Sequence, residues 1–175
     1  MNGGFEKLWA PWRMKYIDGM DVKPVEGCIF CDKPREAADD RNFIVHRGER
    51  GYLILNIFPY NNGHIMAVPY LHTSRLAELD ADTRLELFDL AGLAVEAMTR
   101  TMRPDGFNMG MNIGRSAGAG IADHLHMHIV PRWNGDTNFM PVIGSTKVIS
   151  EALEDTYHKL KTAVGAVVNE QTARN

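Results

Sequence analysis

The sequence has 175 residues, of which 45% are hydrophobic, and a formal net charge of −3. This size and balance fit one compact globular domain, and a second full domain is not expected. Nonspecific binding to nucleic acid needs many Lys or Arg contacts along a polyanion and usually shows as a basic stripe. The slightly acidic total therefore argues against a nucleic-acid partner, and any phosphate site is expected to be local.

Membrane and secretion signals are not found by inspection of the sequence. No stretch approaches the roughly 20 consecutive apolar residues of a membrane helix, and the N-terminus lacks the apolar core of a secretion signal. We therefore expect a cytoplasmic protein with no membrane partner. The two cysteines, Cys28 and Cys31, are too close in sequence for a disulfide between them to join distant elements. In an intracellular protein such a pair is more often a metal or redox pair than a structural disulfide.

The first elements expected along the chain are an arm and three strands. Residues 8–13 are aromatic and contain proline, which suits an ordered arm packed on the body. After the cysteines come three strand-like runs separated by turn-rich segments, at 43–46, 52–58 and 64–69. The short spacings favour antiparallel neighbours.

The second half of the chain begins with helical periodicity. Apolar spacings of three and four over 73–103 predict a short turn and then a long amphipathic helix ended by Pro104. A strand is expected at 106–114, a glycine-rich loop at 114–120, a last strand at 124–130 and a C-terminal helix over about 147–168. The prediction is an α+β domain with an antiparallel sheet of about five strands, one long helix and a C-terminal helix.

Three histidines alternate with apolar residues in the last predicted strand. Because successive strand side chains point to opposite faces, His124, His126 and His128 are expected to share one face, while Leu125, Met127 and Ile129 enter the core. Two other interpretations are a set of surface histidines and a metal site made of the three imidazoles.

This segment resembles the histidine triad (HIT) family, whose signature is three histidines alternating with apolar residues and followed by two more. The resemblance also covers the cysteine pair, the Gly63-His64 strand that ends near His72, and residues 106–114, so that it spans roughly residues 28 to 133. Residues 132–141 together with 8–16 are similar to a bacterial branch of the family that is associated with diadenosine tetraphosphate phosphorylase or hydrolase activity.

The resemblance implies a HIT-like fold and a nucleotide substrate. Over residues 1–175 we expect a single HIT-like domain, with a core at about 28–133, an N-terminal arm at 1–27 and a C-terminal loop and helix at 134–175. In the family pattern the central histidine, here His126, attacks the α-phosphorus and forms a nucleotidyl-histidine intermediate. A neutral imidazole is available near pH 7, and covalent catalysis divides one hard displacement into two easier ones.

Two further histidines have expected roles near the nucleophile. The resemblance places His128 where it would hydrogen-bond a non-bridging phosphate oxygen or orient His126, the alternative being a packed imidazole. His64 is expected to lie at the edge of the pocket or to brace its strand, and is not expected to be catalytic.

Residues expected to bind substrate lie before the triad and at the end of the second strand. The glycines 114, 118 and 120 let backbone N–H groups approach an anion, although such loops are often plain turns. The resemblance assigns Asn112 to the phosphate site and Asn56 to the ribose hydroxyls. Without it, Asn56 is more often a turn residue.

The chain departs from the family pattern just before the triad. Many members carry a Gln and then a Ser or Thr where this chain has Gly120 and Ile121. The side-chain donor expected for the bridging oxygen is therefore missing, and Ser116 or Arg115 is the nearby candidate to supply it.

The cysteine pair has a predicted metal role. Two thiolates need two further ligands for tetrahedral zinc, and the resemblance implies that His72 and His124 complete a structural zinc site with Cys28 and Cys31. The alternative is a pair of reduced buried thiols. A redox dithiol is less favoured, because the pair does not begin a clear βαβ unit.

The leading functional hypothesis is cleavage of a dinucleoside polyphosphate, diadenosine tetraphosphate, with either phosphate or water as acceptor. The alternatives are a nucleoside phosphoramidate or mononucleotidyl hydrolase, and a zinc-stabilised nucleotide sensor without turnover. The resemblance also implies a homodimer whose sheets join across subunits, with an apolar helix face of Leu87, Leu90 and Met98 as a further expected contact.

Overall fold

The computed structural model describes residues 27–144 and 148–174, so the predicted N-terminal arm lies outside the described residues apart from Gly27. Five strands form one sheet: β1 (Ile44–Arg47), β2 (Gly51–Leu55), β3 (Ile65–Pro69), β4 (Gly106–Met111) and β5 (Met127–Arg132). Their order is β1-β2-β3-β5-β4, and every neighbouring pair is antiparallel. The predicted five-stranded antiparallel sheet is confirmed.

The helices are α1 (Ile29–Arg35), α2 (Asp39–Asn42), α3 (Ala81–Met102), α4 (Met140–Ile143) and α5 (Leu153–Thr172), with 3-10 turns at Leu76–Glu78 and Arg115–Ala117. The predicted long helix and C-terminal helix are confirmed. No described helix is long and apolar enough to cross a membrane. The chain divides into two compact units: the described part of one is 27–136 and 149–174, and that of the other is 137–144 and 148, which contains α4.

The long helix α3 is defined at both ends by its own sequence. The Asp80 side chain accepts a hydrogen bond from the Thr83 backbone N–H at 2.7 Å, which satisfies one of the free donors of the first turn. The helix ends at Met102 and is followed by its C-cap Arg103, which has a left-handed backbone and directly precedes Pro104. Proline cannot continue the helix because it lacks the N–H.

The apolar face of α3 that the sequence predicts at a subunit contact lies instead in the core of this chain. Leu87, Leu90 and Met98 are all at least 96% buried and belong to the core cluster of this chain. Because they pack beneath the sheet of their own chain, they have no surface to offer a second subunit. The exposed apolar side chains of α3 are instead Leu85 and Phe88.

The sheet separates two apolar layers. The larger layer contains Leu53, Leu55, Ile65, Met127 and Ile129 from the sheet, together with side chains of α3 and α5. The smaller layer, on the other strand positions, contains Phe30, Ile44, Tyr52, Ile54, Met66 and Val68. The alternation therefore leaves the face of the smaller layer for the even-numbered histidines of the triad segment.

The last strand starts later than the sequence predicts. The pairing of β5 with both β3 and β4 begins at Met127, so His124 and His126 precede the strand. The segment that leads into β5 is held by a contact outside the sheet: the Leu125 backbone N–H donates to the Thr73 carbonyl at 2.7 Å. The predicted alternation of faces nevertheless holds: Leu125 is buried in the larger layer, whereas the rings of His124 and His126 contact Phe30 of the smaller layer.

Candidate functional site

The central histidine of the triad is fixed in one tautomer by the backbone. His126 is 5% exposed, and its Nδ1 lies 2.9 Å from the carbonyl oxygen of His124. Because a carbonyl only accepts, Nδ1 must carry the proton, which leaves the lone pair on Nε2. Burial lowers the pKa of His126, although the hydrogen bond to the His124 carbonyl opposes this. At neutral pH the ring is therefore neutral, with Nε2 as a potential nucleophile.

His128 is held by a second buried histidine. His64 Nδ1 accepts the backbone N–H of Tyr60 at 3.0 Å, so the proton of neutral His64 resides on Nε2. That Nε2 lies 2.9 Å from His128 Nδ1 and donates to it. The proton of neutral His128 then resides on Nε2, which is a hydrogen-bond donor. Burial, with smaller contributions from His128 and His126, lowers the pKa of His64 to about 3, so that it stays neutral.

The contact between His64 and His128 follows from the sheet register. Met66 is opposite His128 on the neighbouring strands, which places His64, two residues earlier, on the same face. Gly63 has a left-handed φ of +76°, and a Cβ there would lie 2.8 Å from the Met102 sulfur. This positive φ strongly favours glycine at the turn into β3. A place for His64 at the pocket edge or as a brace for its strand was predictable from the sequence, but its direct bond to a triad histidine was not.

Phe30 links the cysteine helix to the triad. Its ring is 2% exposed and lies 5.5 Å from the His124 ring centroid and 5.0 Å from that of His126. The buried hydroxyl of Tyr52 donates to the Phe30 carbonyl at 2.7 Å, which anchors α1 on the sheet. Phe30 therefore limits the space in which the His126 ring can turn.

A compact cluster of two thiols and two imidazoles lies at the His124 end of the triad. The ligand atoms of Cys28, Cys31, His72 and His124 all lie within 4.8 Å of one another. His124 Nδ1 is 3.3 Å from Cys28 Sγ, 3.5 Å from Cys31 Sγ and 3.2 Å from His72 Nδ1. Corners of a tetrahedral zinc site with these donors are about 3.3 to 3.8 Å apart. The four predicted ligands thus come together in a geometry that can hold a metal ion.

The orientation of His124 also fits a metal ligand. Its Nε2 lies 2.9 Å from the Pro69 carbonyl and donates to it, so the lone pair is on Nδ1, which faces the cluster. The Cys28 carbonyl accepts from the backbone N–H groups of Cys31 and Asp32, which begins α1 and brings both thiols to one side. Burial and the neighbouring Cys28 raise the pKa of the Cys31 thiol, an effect that a divalent cation would oppose.

Of the predicted substrate residues, Asn56 lies next to the histidines. Its Nδ2 is 3.4 Å from His64 Nδ1, and its Oδ1 accepts the Phe58 backbone N–H at 2.9 Å. The second contact is an Asx turn, which supports the turn interpretation of this residue. Asn56 also lines a cavity of about 210 Å³ together with Ile57 and Pro59.

The glycine-rich loop connects β4 to the triad segment. Ser116 is exposed in the 3-10 turn, and Gly118 ends this turn with a φ of +85°. Asn112 Nδ2 approaches the Gly118 carbonyl at 3.5 Å, and Gly120 is exposed beyond it. Because Met111 at the end of β4 pairs with Met127 at the start of β5, the loop begins and ends beside His126.

Together these features define an α+β protein with a buried row of histidines beside a cluster of two cysteines and two histidines. Residues 38–135 match the model of the HIT domain. A relative from Mycobacterium tuberculosis named AP-4-A phosphorylase is 41% identical over 165 residues, which cover 90% of this chain and 83% of the relative. The chain belongs to the HIT domain family.

Two solved structures share the fold. A zinc-bound histidine triad family protein from Mycobacterium smegmatis has a TM-score of 0.67 and 24% identity, covering 82% of this chain and 97% of its own. A hypothetical histidine triad nucleotide-binding protein from Sulfolobus tokodaii has a TM-score of 0.64 and 30% identity. The match covers 82% of this chain and 93% of that protein. The predicted HIT-like fold is confirmed.

Proposed function

We propose that this chain cleaves diadenosine tetraphosphate through a nucleotidyl-His126 intermediate, with inorganic phosphate as the acceptor. The observation that carries the proposal is the backbone-fixed tautomer of His126, which directs a lone pair from Nε2 beside the Nε2–H of His128. A neutral nucleophile next to a neutral donor suits attack on an anionic phosphate ester. The 41% identity to a relative named AP-4-A phosphorylase supports the choice of substrate and acceptor.

The reaction has two displacements at the α-phosphorus. In the first, the Nε2 lone pair of His126 forms a bond to phosphorus and the bond to the bridging oxygen breaks, which releases ATP. In the second, an oxygen of inorganic phosphate attacks the same phosphorus and the phosphorus–nitrogen bond breaks, which gives ADP and restores the lone pair. His128 would donate from Nε2 to a non-bridging oxygen in both steps.

The loop before the triad would bind the phosphate chain. The backbone N–H of Gly120 suits close approach to an anion, and Asn112 would contribute its carboxamide. The N–H of Gly118 donates to the Arg115 carbonyl at 2.8 Å, so Gly118 would shape the loop through its left-handed backbone. Since Gly120 and Ile121 offer no side-chain donor, we assign the bridging oxygen to the exposed hydroxyl of Ser116. Asn56 would bind the ribose after exchanging its local turn contact for the sugar hydroxyls.

Product analysis tests the proposed reaction. Incubation of the protein with diadenosine tetraphosphate and inorganic phosphate is expected to give ADP and ATP in equal amounts, with little turnover when phosphate is omitted. Mass spectrometry of the products with 18O-labelled phosphate should place the label in ADP. AMP and ATP at the same rate with and without phosphate would contradict phosphorolysis and favour a hydrolase. The absence of any product would overturn the proposed function.

We further propose that Cys28, Cys31, His72 and His124 hold one structural zinc ion. Zinc favours tetrahedral sites of thiolate and imidazole ligands, and four protein ligands leave no open position for a reactive water. The ion would therefore have a structural role and would join α1 to His124, two residues before the nucleophile.

The expected homodimer is proposed to join at β4. Among the strands of residues 27–144 and 148–174, β4 is at the edge of the sheet and pairs with β5 alone, so its outer side can accept a strand of a second chain. Met109 and Ile113 are exposed apolar side chains in and just after the strand. Light scattering at micromolar concentration should give twice the monomer mass of 19.6 kDa. A monomer mass at this concentration would contradict the proposal.

A further inference from the structure

A buried polar pair lies outside the row of histidines. Asn61, in the turn between β2 and β3, is 7% exposed, and the side chain of Asp136, after β5, is also 7% exposed. Asn61 Nδ2 donates to Asp136 Oδ2 at 2.8 Å and to the Pro131 carbonyl at 3.0 Å. Both hydrogens of the amide are thereby used to hold the turn against the end of β5. A buried carboxylate is costly unless it is fully hydrogen-bonded, so this pair is expected to have a specific role.

The Asp136 carboxylate is held by three more donors. Arg132 Nε donates to Oδ2 at 2.6 Å, and a second guanidinium nitrogen donates to Oδ1 at 3.0 Å, which gives a two-point contact. The Trp133 backbone N–H donates to Oδ2 at 3.2 Å. With Asn61 included, the carboxylate has a fixed position and cannot rotate without breaking several bonds.

The Asn61 turn is directly bonded to His64. The Asn61 carbonyl accepts the His64 backbone N–H at 3.2 Å. The preceding residue, Tyr60, donates its backbone N–H to His64 Nδ1 at 3.0 Å, and its ring lies 4.6 Å from the His64 ring. The Tyr60 N–H, which is the shorter contact to His64 Nδ1, is therefore part of the turn that Asn61 and Asp136 hold, whereas the Asn56 amide lies 3.4 Å from the same nitrogen.

We propose that Asn61 and Asp136 are positioning residues that set the tautomers of His64 and His128. They hold the Tyr60 N–H on His64 Nδ1, which keeps the His64 proton on Nε2 and hence the His128 proton on its own Nε2. If the turn loosens, His64 is free to carry its proton on Nδ1. His64 Nε2 then becomes an acceptor, His128 must donate from Nδ1, and its Nε2 no longer offers a hydrogen to a phosphate oxygen.

The effect on catalysis rests on the proposed function, but the effect on the tautomers does not. Removing the pair is expected to reduce transition-state stabilisation more than substrate binding, because neither residue belongs to the predicted nucleotide site. We expect kcat to fall about 10- to 100-fold, the size typical of losing a partner that orients a functional histidine. KM should change by less than about threefold.

Two variants and a matched control separate positioning from a general loss of stability. Asn61→Ala removes the amide, and Asp136→Asn keeps the shape while placing an amide nitrogen or a neutral oxygen against the Asn61 donor. Asn62→Ala is the control, since the next residue in the same turn bonds instead to Glu151 and Thr156 near the start of α5. It should cost a similar amount of stability and leave kcat near the wild-type value.

The direct readout is 15N NMR of the histidine rings at neutral pH, where protonated and unprotonated ring nitrogens have well separated shifts. Wild-type protein and Asn62→Ala should show His64 and His128 protonated on Nε2, while Asn61→Ala and Asp136→Asn should show mixed or reversed tautomers. Folded variants with wild-type ring shifts and a wild-type kcat would overturn the proposal. If wild-type protein does not turn over the dinucleotide, the proposed function fails, and the ring shifts still decide the positioning role.

Discussion

Replacement of His126 by alanine is expected to reduce turnover of diadenosine tetraphosphate by about three orders of magnitude or more, the scale associated with loss of a catalytic nucleophile. The variant keeps His128 and the backbone loop, so nucleotide binding should persist. Steady-state kinetics with the dinucleotide measures the loss, and equilibrium binding of a non-hydrolysable analogue measures what remains.

The same substitution is also expected to affect stability. The His126 ring is 95% buried and lies against Phe30, so its removal opens a cavity. A moderate loss of stability should accompany the loss of activity. His46→Ala provides the control, because this half-buried histidine lies on β1, at the sheet edge opposite β4. Near-normal activity of folded His126→Ala would show that another residue forms the covalent intermediate.

The faces of the triad segment were predictable from sequence, but the start of its strand was not. Alternation alone separated the even-numbered histidines from Leu125, Met127 and Ile129. The start of β5 instead depends on where β3 and β4 stop pairing, and that is decided by other segments of the chain. The helix α1 was not predictable from sequence either, because its seven residues include Pro34 and are too few to show helical periodicity.

The cluster of two cysteines and two histidines was largely predictable from the sequence, whereas the contact that holds the turn before His64 was not. Cys28 and Cys31 are close in the chain, and the family resemblance supplied His72 and His124. The bond between Asn61 and Asp136 joins residues 75 positions apart through a turn and a loop. Nothing in the local pattern of either residue predicts this bond. An Asn in a Pro-Tyr-Asn-Asn-Gly turn is the ordinary choice for a turn, and its burial becomes apparent only in the folded chain.

Loss of the metal is expected to lower thermal stability strongly. Cys31→Ser replaces a thiolate ligand with a hydroxyl that binds zinc poorly, so zinc content should fall from about one ion per chain to well below half. Because the ion binds the folded state far better than the unfolded chain, its loss should lower Tm by at least roughly 5 °C. Metal analysis of protein purified without chelator, followed by calorimetry, measures both changes.

The control for this variant is a substitution in the same helix at a residue that is not a ligand. Ile29→Ser changes an exposed side chain at the start of α1 and should leave zinc content unchanged. The effect of zinc loss should also extend to the triad, because His124 binds through its ring while its carbonyl fixes the His126 tautomer. A metal-free native protein with unchanged Tm and full activity would contradict the zinc proposal. In that case Cys28 and Cys31 are ordinary half-buried thiols, and His124 returns to the phosphate site.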